Sequence, residues 1–104
     1  MFKVYICSPY ASRGNIEENV KKAQEYSRRA VLRNFIPVTP HIYFTQFMDD
    51  AVEWEREWAL AVGLQLLEEC KYMWVFGTPT GGMIAEIEKA RELGIPILHY
   101  GEDT

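Results

Sequence analysis

Apolar residues along the chain fall into short continuous runs, and these alternate with stretches that repeat at helical spacing. Lys3–Cys7 (KVYIC) is a β-branched and aromatic run ended by Ser8-Pro9, which predicts a buried strand. A helix is predicted from Asn15, the N-cap, with Glu18 three residues on in a capping-box arrangement. Ile16, Val20, Ala23, Ser27 and Ala30 mark one face of it, and Asn34 is its left-handed stop. Phe35–Val38 (FIPV) predicts a second strand, placed at a sheet edge because Pro37 cannot donate to a ladder. Residues 39–50 (TPHIYFTQFMDD) read as a loop with too many aromatics to be simply solvated. A long helix is predicted over Ala51–Glu69, with Trp54 and Trp58 on one face of it. Tyr72–Gly77 (YMWVFG) is the central strand. Residues 82–93 form a last helix with Met83, Ile87 and Ala90 inward and Gly94 as its C′ glycine, and IPILHY (95–100) is the last strand.

This β-α-β-α-β-α-β order predicts an α/β fold: a small Rossmann- or flavodoxin-like three-layer sandwich. Its parallel four-stranded sheet has the order 2-1-3-4, with helices on both faces. The 104 residues fit one domain spanning 1–104. Such a sheet has a topological switch point between strands 1 and 3, and ligands of open α/β sheets bind beyond the carboxyl ends of the strands there. Two loops meet at that crevice: SPYASRGN (8–15) and GTPTGG (77–82).

Composition narrows the partners. A net charge of −4 with no basic face argues against a nucleic-acid polymer. No stretch approaches the ~20 apolar residues of a membrane span, and MFKVYICSPY lacks the basic and apolar regions of a signal peptide. Cys7 and Cys70 have neither metal-ligand spacing nor a disulfide framework, and read as buried thiols of a reducing cytoplasm. The expectation is a cytoplasmic protein with no metal site, no cofactor and no membrane partner.

In the first loop Ser8, Ser12, Arg13 and Gly14 precede a helix N-terminus, where unpaired N–H groups and the dipole attract anions, and Pro9 is placed with them at the ligand. Arg13 supplies a bidentate contact to phosphate or carboxylate. The second loop, GTPTGGMIAE (77–86), lacks the Gly-Lys-Ser/Thr ending of a triphosphate loop and the G-x-G-x-x-G spacing of dinucleotide binders. What it offers is Gly77, Gly81 and Gly82, which permit close approach of a ligand, followed by Glu86 one turn into the helix. A carboxylate there is stabilised as the anion by the helix N-terminus. That suits a nucleophile or an oxocarbenium stabiliser in glycoside chemistry better than a general acid. On position alone, Glu86 as a plain complement to the dipole stands beside that reading. His41, directly after strand 2 at the same sheet edge, reads equally as a ligand contact near neutral pH or as a histidine bonded to backbone. His99 reads as structural.

The strand KVYICSPY together with GGMIAEIEKARELGIPIL resembles the nucleoside 2-deoxyribosyltransferase-like superfamily over nearly the whole chain, especially its small phage-type members. The resemblance implies that Glu86, in the pattern Gly-x-x-x-Glu before an alanine-containing helix and Gly-x-Pro, is the catalytic nucleophile. It also implies that Tyr5 positions Glu86 and that the loop with Ser8, Arg13 and Gly14 binds the sugar or its 5′-phosphate. Two aspartates common in the family are replaced. One position falls near Gly63 in the long helix, the other at Thr78-Pro79-Thr80. Asp49, Asp50, Glu53 and His41 are the substitutes for the missing proton donor. The function implied is cleavage or transfer at the N-glycosidic bond of a small nucleoside or nucleoside 5′-monophosphate. The alternative is a non-catalytic module binding a nucleotide or ADP-ribose-like ligand in the same crevice, and a third is an interaction protein using its aromatic helix. The aromatics of Tyr43–Trp58 exceed what one helical layer buries, which predicts a homo-oligomer through that region.

Overall fold

The computed structural model describes residues 1–10 and 15–101. Its elements are β1 (Lys3–Cys7), α1 (Ile16–Leu32), β2 (Ile36–Val38), α2 (Pro40–Phe44), α3 (Glu53–Leu67), β3 (Tyr72–Phe76), α4 (Gly81–Glu92) and β4 (Ile97–Gly101). All neighbouring strands pair in parallel, and the sheet order is β2-β1-β3-β4, as the alternating pattern predicts. Pro37 lies in β2 at the edge, opposite Val4.

Alternation along the strands divides the core in two. Val4 and Ile6 of β1 and Trp74 and Phe76 of β3 face α1, where Tyr26 and Ala30 meet them. Tyr26 stacks on Phe76 at 3.9 Å between centroids, and Phe76 on Tyr100 at 4.7 Å. On the other face Tyr5, Cys7, Met73 and Val75 pack under Leu67 of α3 and Met83, Ile87 and Ala90 of α4. The sandwich therefore has helices on both faces of its sheet.

Local signals explain most element ends. The Asn15 side chain accepts from the N–H groups of Glu17 and Glu18 at 2.7 and 3.3 Å, which caps α1. Asn34 and Gly94 take positive φ after their helices, at 65° and 72°. The packing of α1 differs from its predicted face. Ile16 is exposed, whereas Asn19 and Tyr26 are buried, because the stripe that meets the sheet runs through Asn19, Ala23, Tyr26 and Ala30.

The segment predicted as a loop contains α2, a single turn begun by Pro40 at its first position and closed over the buried Phe44. Its length is too short to leave a helical period in the sequence. The long helix starts at Glu53 rather than Ala51, after a turn in which Val52 N–H donates to the Asp49 carbonyl. Trp54 and Trp58 are exposed on it, and its buried positions are Gly63 and Leu67.

Candidate active site

β1 sends its chain toward one side of the sheet and β3 toward the other, so the ends of these two central strands open a crevice. A cavity of about 400 Å³ lies there. Its walls come from β1 and the residues after it, α2 and the following turn, one side of α3, and the start of α4. That volume is in the range of small-ligand sites.

Tyr5 and Cys7 are two apart in β1 and so point to the same face, and both reach Glu86 of α4. The Tyr5 hydroxyl donates a hydrogen bond to Glu86 Oε2, and the Cys7 thiol donates to Oε1 at 3.4 Å. Burial pushes the Glu86 carboxyl above the usual carboxylate range, and the bonds from Tyr5 and Cys7 oppose that rise without cancelling it. This corrects the expectation of an anion stabilised by the helix end. α4 begins at Gly81, which places Glu86 in its second turn, where the dipole has faded and desolvation decides. Tyr5 is raised well above its ordinary value by burial first and then by the Glu86 charge, so its hydroxyl keeps its proton and remains a donor.

Ser8, buried at the end of β1, shares a hydrogen bond with His41 Nε2 at 3.2 Å, and both line the cavity. Burial lowers the His41 pKa to about 4. The imidazole is therefore neutral at physiological pH and is no store of protons there. Tyr10 lines the cavity beside His41, with ring centroids 5.9 Å apart, and its pKa is raised by burial and by the charges of Asp50 and Asp49.

The other predicted residues fall in several places. Gly81 and Gly82 line the cavity, and a Cβ on either would meet nothing within 4 Å. Pro9 and Gly77 pack against each other instead: a Cβ on Gly77 would lie 3.4 Å from the Pro9 ring, and Gly77 needs its φ of 78° to turn the chain. Neither of the two is among the residues that line the cavity. Ser12, Arg13 and Gly14 lie outside the described residues. Asp49 and Asp50 line the cavity, Glu53 does not, and Glu55, Arg56 and Glu57 do. Nothing in the sequence assigns the last three to a site, because the face that α3 turns to the cavity depends on where the preceding turn ends. Asp49 and Glu55 brace that turn. The Asp49 carboxylate accepts from Ala51 N–H at 2.9 Å, and Glu55 accepts from Asp49 N–H at 3.2 Å. His99 is exposed in β4. Among the described residues no three His, Cys, Asp or Glu side chains are grouped to hold a metal ion, and no helix is long and apolar enough to cross a membrane.

Gly63 completes the floor. The α3 backbone comes so close to β1 that a Cβ there would lie 3.1 Å from Tyr5 Oη and 3.8 Å from Glu86 Oε2. A side chain at this position therefore requires the Tyr5 hydroxyl to shift by a few tenths of an ångström. The position where the sequence lacks an acid is, in the structure, in tight contact with the Tyr5 hydroxyl and beside Glu86.

A 2-deoxyribosyltransferase from the psychrotolerant bacterium Bacillus psychrosaccharolyticus matches this fold with a TM-score of 0.73 at 15% sequence identity, over 95% of this chain and 72% of that one. At that identity the likeness speaks for the fold. No curated protein matches the chain in sequence. A family model described as "Domain of unknown function (DUF7768)" covers residues 2–100, which include β1, the glycine loop and the Tyr5–Glu86 pair. The chain belongs to the DUF7768 family.

Proposed function

We propose that the chain cleaves or transfers at the N-glycosidic bond of a small nucleoside or nucleoside 5′-monophosphate. The observation that carries this reading is the hydrogen bond from Tyr5 to Glu86 at the floor of a small-ligand cavity, at the switch point of the sheet. The deoxyribosyltransferase-like fold supports it, and the sequence resemblance to small phage-type members of that superfamily agrees with it. In the first half-reaction a Glu86 oxygen attacks the anomeric carbon. The bond from that carbon to the base nitrogen breaks, and its electron pair stays on the nitrogen, which takes up a proton. In the second half, water or the nitrogen of another base attacks the same carbon, loses a proton, and releases the Glu86 carboxylate. Of the four candidate proton donors, Glu53 is off the cavity and the Asp49 carboxylate caps the turn, whereas His41 and Asp50 line the cavity. His41 is engaged with Ser8, so Asp50 is the one the variant below tests as the donor. Arg13 and Gly14 are assigned as the phosphate grip, with Ser8 as a contact to the sugar and His41 as a contact to the phosphate or the base.

The test is chromatographic detection of free base after incubation with deoxynucleosides and their 5′-monophosphates. Wild type releases base, Glu86→Gln loses release, and Asp50→Asn slows it. Equal release by Glu86→Gln removes the catalytic assignment. A binding module is the second reading, favoured by Gly63, which puts no acid beside Glu86 on α3. A thermal shift with nucleotides and no base release establishes that reading instead. We also place a homo-oligomer contact on the aromatic region, where Tyr43 is 61% and Trp54 63% exposed.

A further inference from the structure

Glu86 is held at both carboxylate oxygens, and the function proposed above uses only one of the two partners. The second is Cys7, fully buried in the middle of the sheet. Its sulfur lies 3.4 Å from Glu86 Oε1 and 3.9 Å from the Met83 carbonyl oxygen, so both acceptors within its reach sit on adjacent turns of α4. We propose that Cys7 is a positioning residue for Glu86, its thiol fixing Oε1 while the Tyr5 hydroxyl fixes Oε2. Two points on one strand then set the plane of the carboxylate. This rests on the reading of Glu86 as the attacking group.

A thiol suits the task because it is a weak donor. It orients the oxygen without the strong stabilisation of the anion that a second hydroxyl would add, so Oε1 keeps its nucleophilic character. Burial and the nearby Glu86 charge push the thiol pKa up, so it stays a donor and does not become a second anion. The groups that face Glu86 are few. β1 presents Tyr5 and Cys7, and α3 presents Gly63, which titrates nothing. The remaining ionisable groups of the cavity, Tyr10, His41, Asp49, Asp50, Glu55, Arg56 and Glu57, make no hydrogen bond to the carboxyl.

The experiment follows the Glu86 carboxyl directly, by carbon NMR of protein labelled at the glutamate side-chain carboxyls, with Glu86→Gln assigning the signal. Cys7→Val removes the donor at the cost of one extra methyl in the buried site, and Cys7→Ala removes the donor and leaves the site smaller, so the pair brackets the volume of the thiol. With the thiol as a clamp, the Glu86 midpoint moves to higher pH in both variants, because a bond favouring the charged form is gone. In turnover, kcat falls roughly five- to tenfold with KM unchanged, and the acidic limb of the pH profile moves up with the midpoint. Cys7→Ser recovers part of the loss, since its shorter bond holds the hydroxyl farther from Oε1. A Cys7→Val protein with an unmoved midpoint overturns the proposal and leaves Cys7 a core filler. A moved midpoint in a protein that releases no base upholds the clamp and refutes the glycosidic reading, so the two fail separately. Melting curves of each variant verify that the comparison is made on folded protein.

Discussion

The close approach of α3 to the Tyr5–Glu86 pair makes Gly63→Ala the sharpest perturbation available. A Cβ at this position lies 3.1 Å from Tyr5 Oη, where ordinary contact is 3.4–4 Å, so the neighbour must give by a few tenths of an ångström. Tyr5 is 1% exposed and packed in the core under α3 and α4, which leaves its ring little room to retreat. Overpacking of this kind costs about 1–3 kcal/mol. Replacing glycine in a helix interior returns about 1 kcal/mol. The net is a loss of about 0–2 kcal/mol, a drop in Tm of at most roughly 10 °C for a chain of this size. Activity suffers disproportionately, because what moves is the hydroxyl that holds Glu86. A displacement well short of 1 Å at a reacting group corresponds to roughly tenfold in kcat. Base release and thermal melting, measured on the same preparation, check both halves. An Ala variant that melts higher than wild type and releases base at the wild-type rate refutes the steric argument. Gly63→Asp goes further, setting a second buried carboxylate beside Glu86, and abolishes activity rather than restoring an acid.

Three further outcomes follow from the same geometry. His41 has a folded pKa of about 4 against about 6.5 unfolded, so the unfolded chain binds the extra proton first as pH falls. Its contribution is complete above pH 6.5 and is lost on the way down to pH 4, about 2–3 kcal/mol by urea unfolding at a series of pH values. A His41→Asn protein with the same pH slope as wild type refutes this. Glu86 has the opposite sign: its raised folded pKa means stability declines as pH rises from the unfolded carboxyl value through the folded one. Glu86→Gln therefore melts above wild type at neutral pH, and the gap closes in acid; a gap independent of pH contradicts the burial argument. For the aromatic surface, sedimentation shows a self-associated species that Trp54→Lys, at a position 63% exposed, converts to monomer while leaving the melting temperature within a few degrees. A wild-type monomer at all concentrations removes the oligomer.

Most of the fold was legible because its signals are local. Continuous apolar runs mark β1 and β3, Asn15 caps α1, Asn34 and Gly94 end helices, and Pro37 assigns β2 to an edge. Given the alternation of elements, right-handed crossovers leave few sheet orders, and with them comes the location of the crevice. α2 was hidden because one turn is too short to carry a period.

The site was legible by address and illegible in its energetics. That Tyr5 and Glu86 lie on elements meeting at the crevice follows from topology. That Cys7 shares the same carboxylate, that Pro9 and Gly77 serve each other, and that Glu55, Arg56 and Glu57 reach the cavity depends on how α3 and α4 rotate over the sheet. Desolvation has no signature in a residue's neighbours along the chain, so the upward shift of Glu86 and the downward shift of His41 emerge only once the elements pack. Gly63 is the clearest instance. In the sequence it is a helix residue with nothing to offer, and in the structure its missing side chain is the room in which Tyr5 and Glu86 meet.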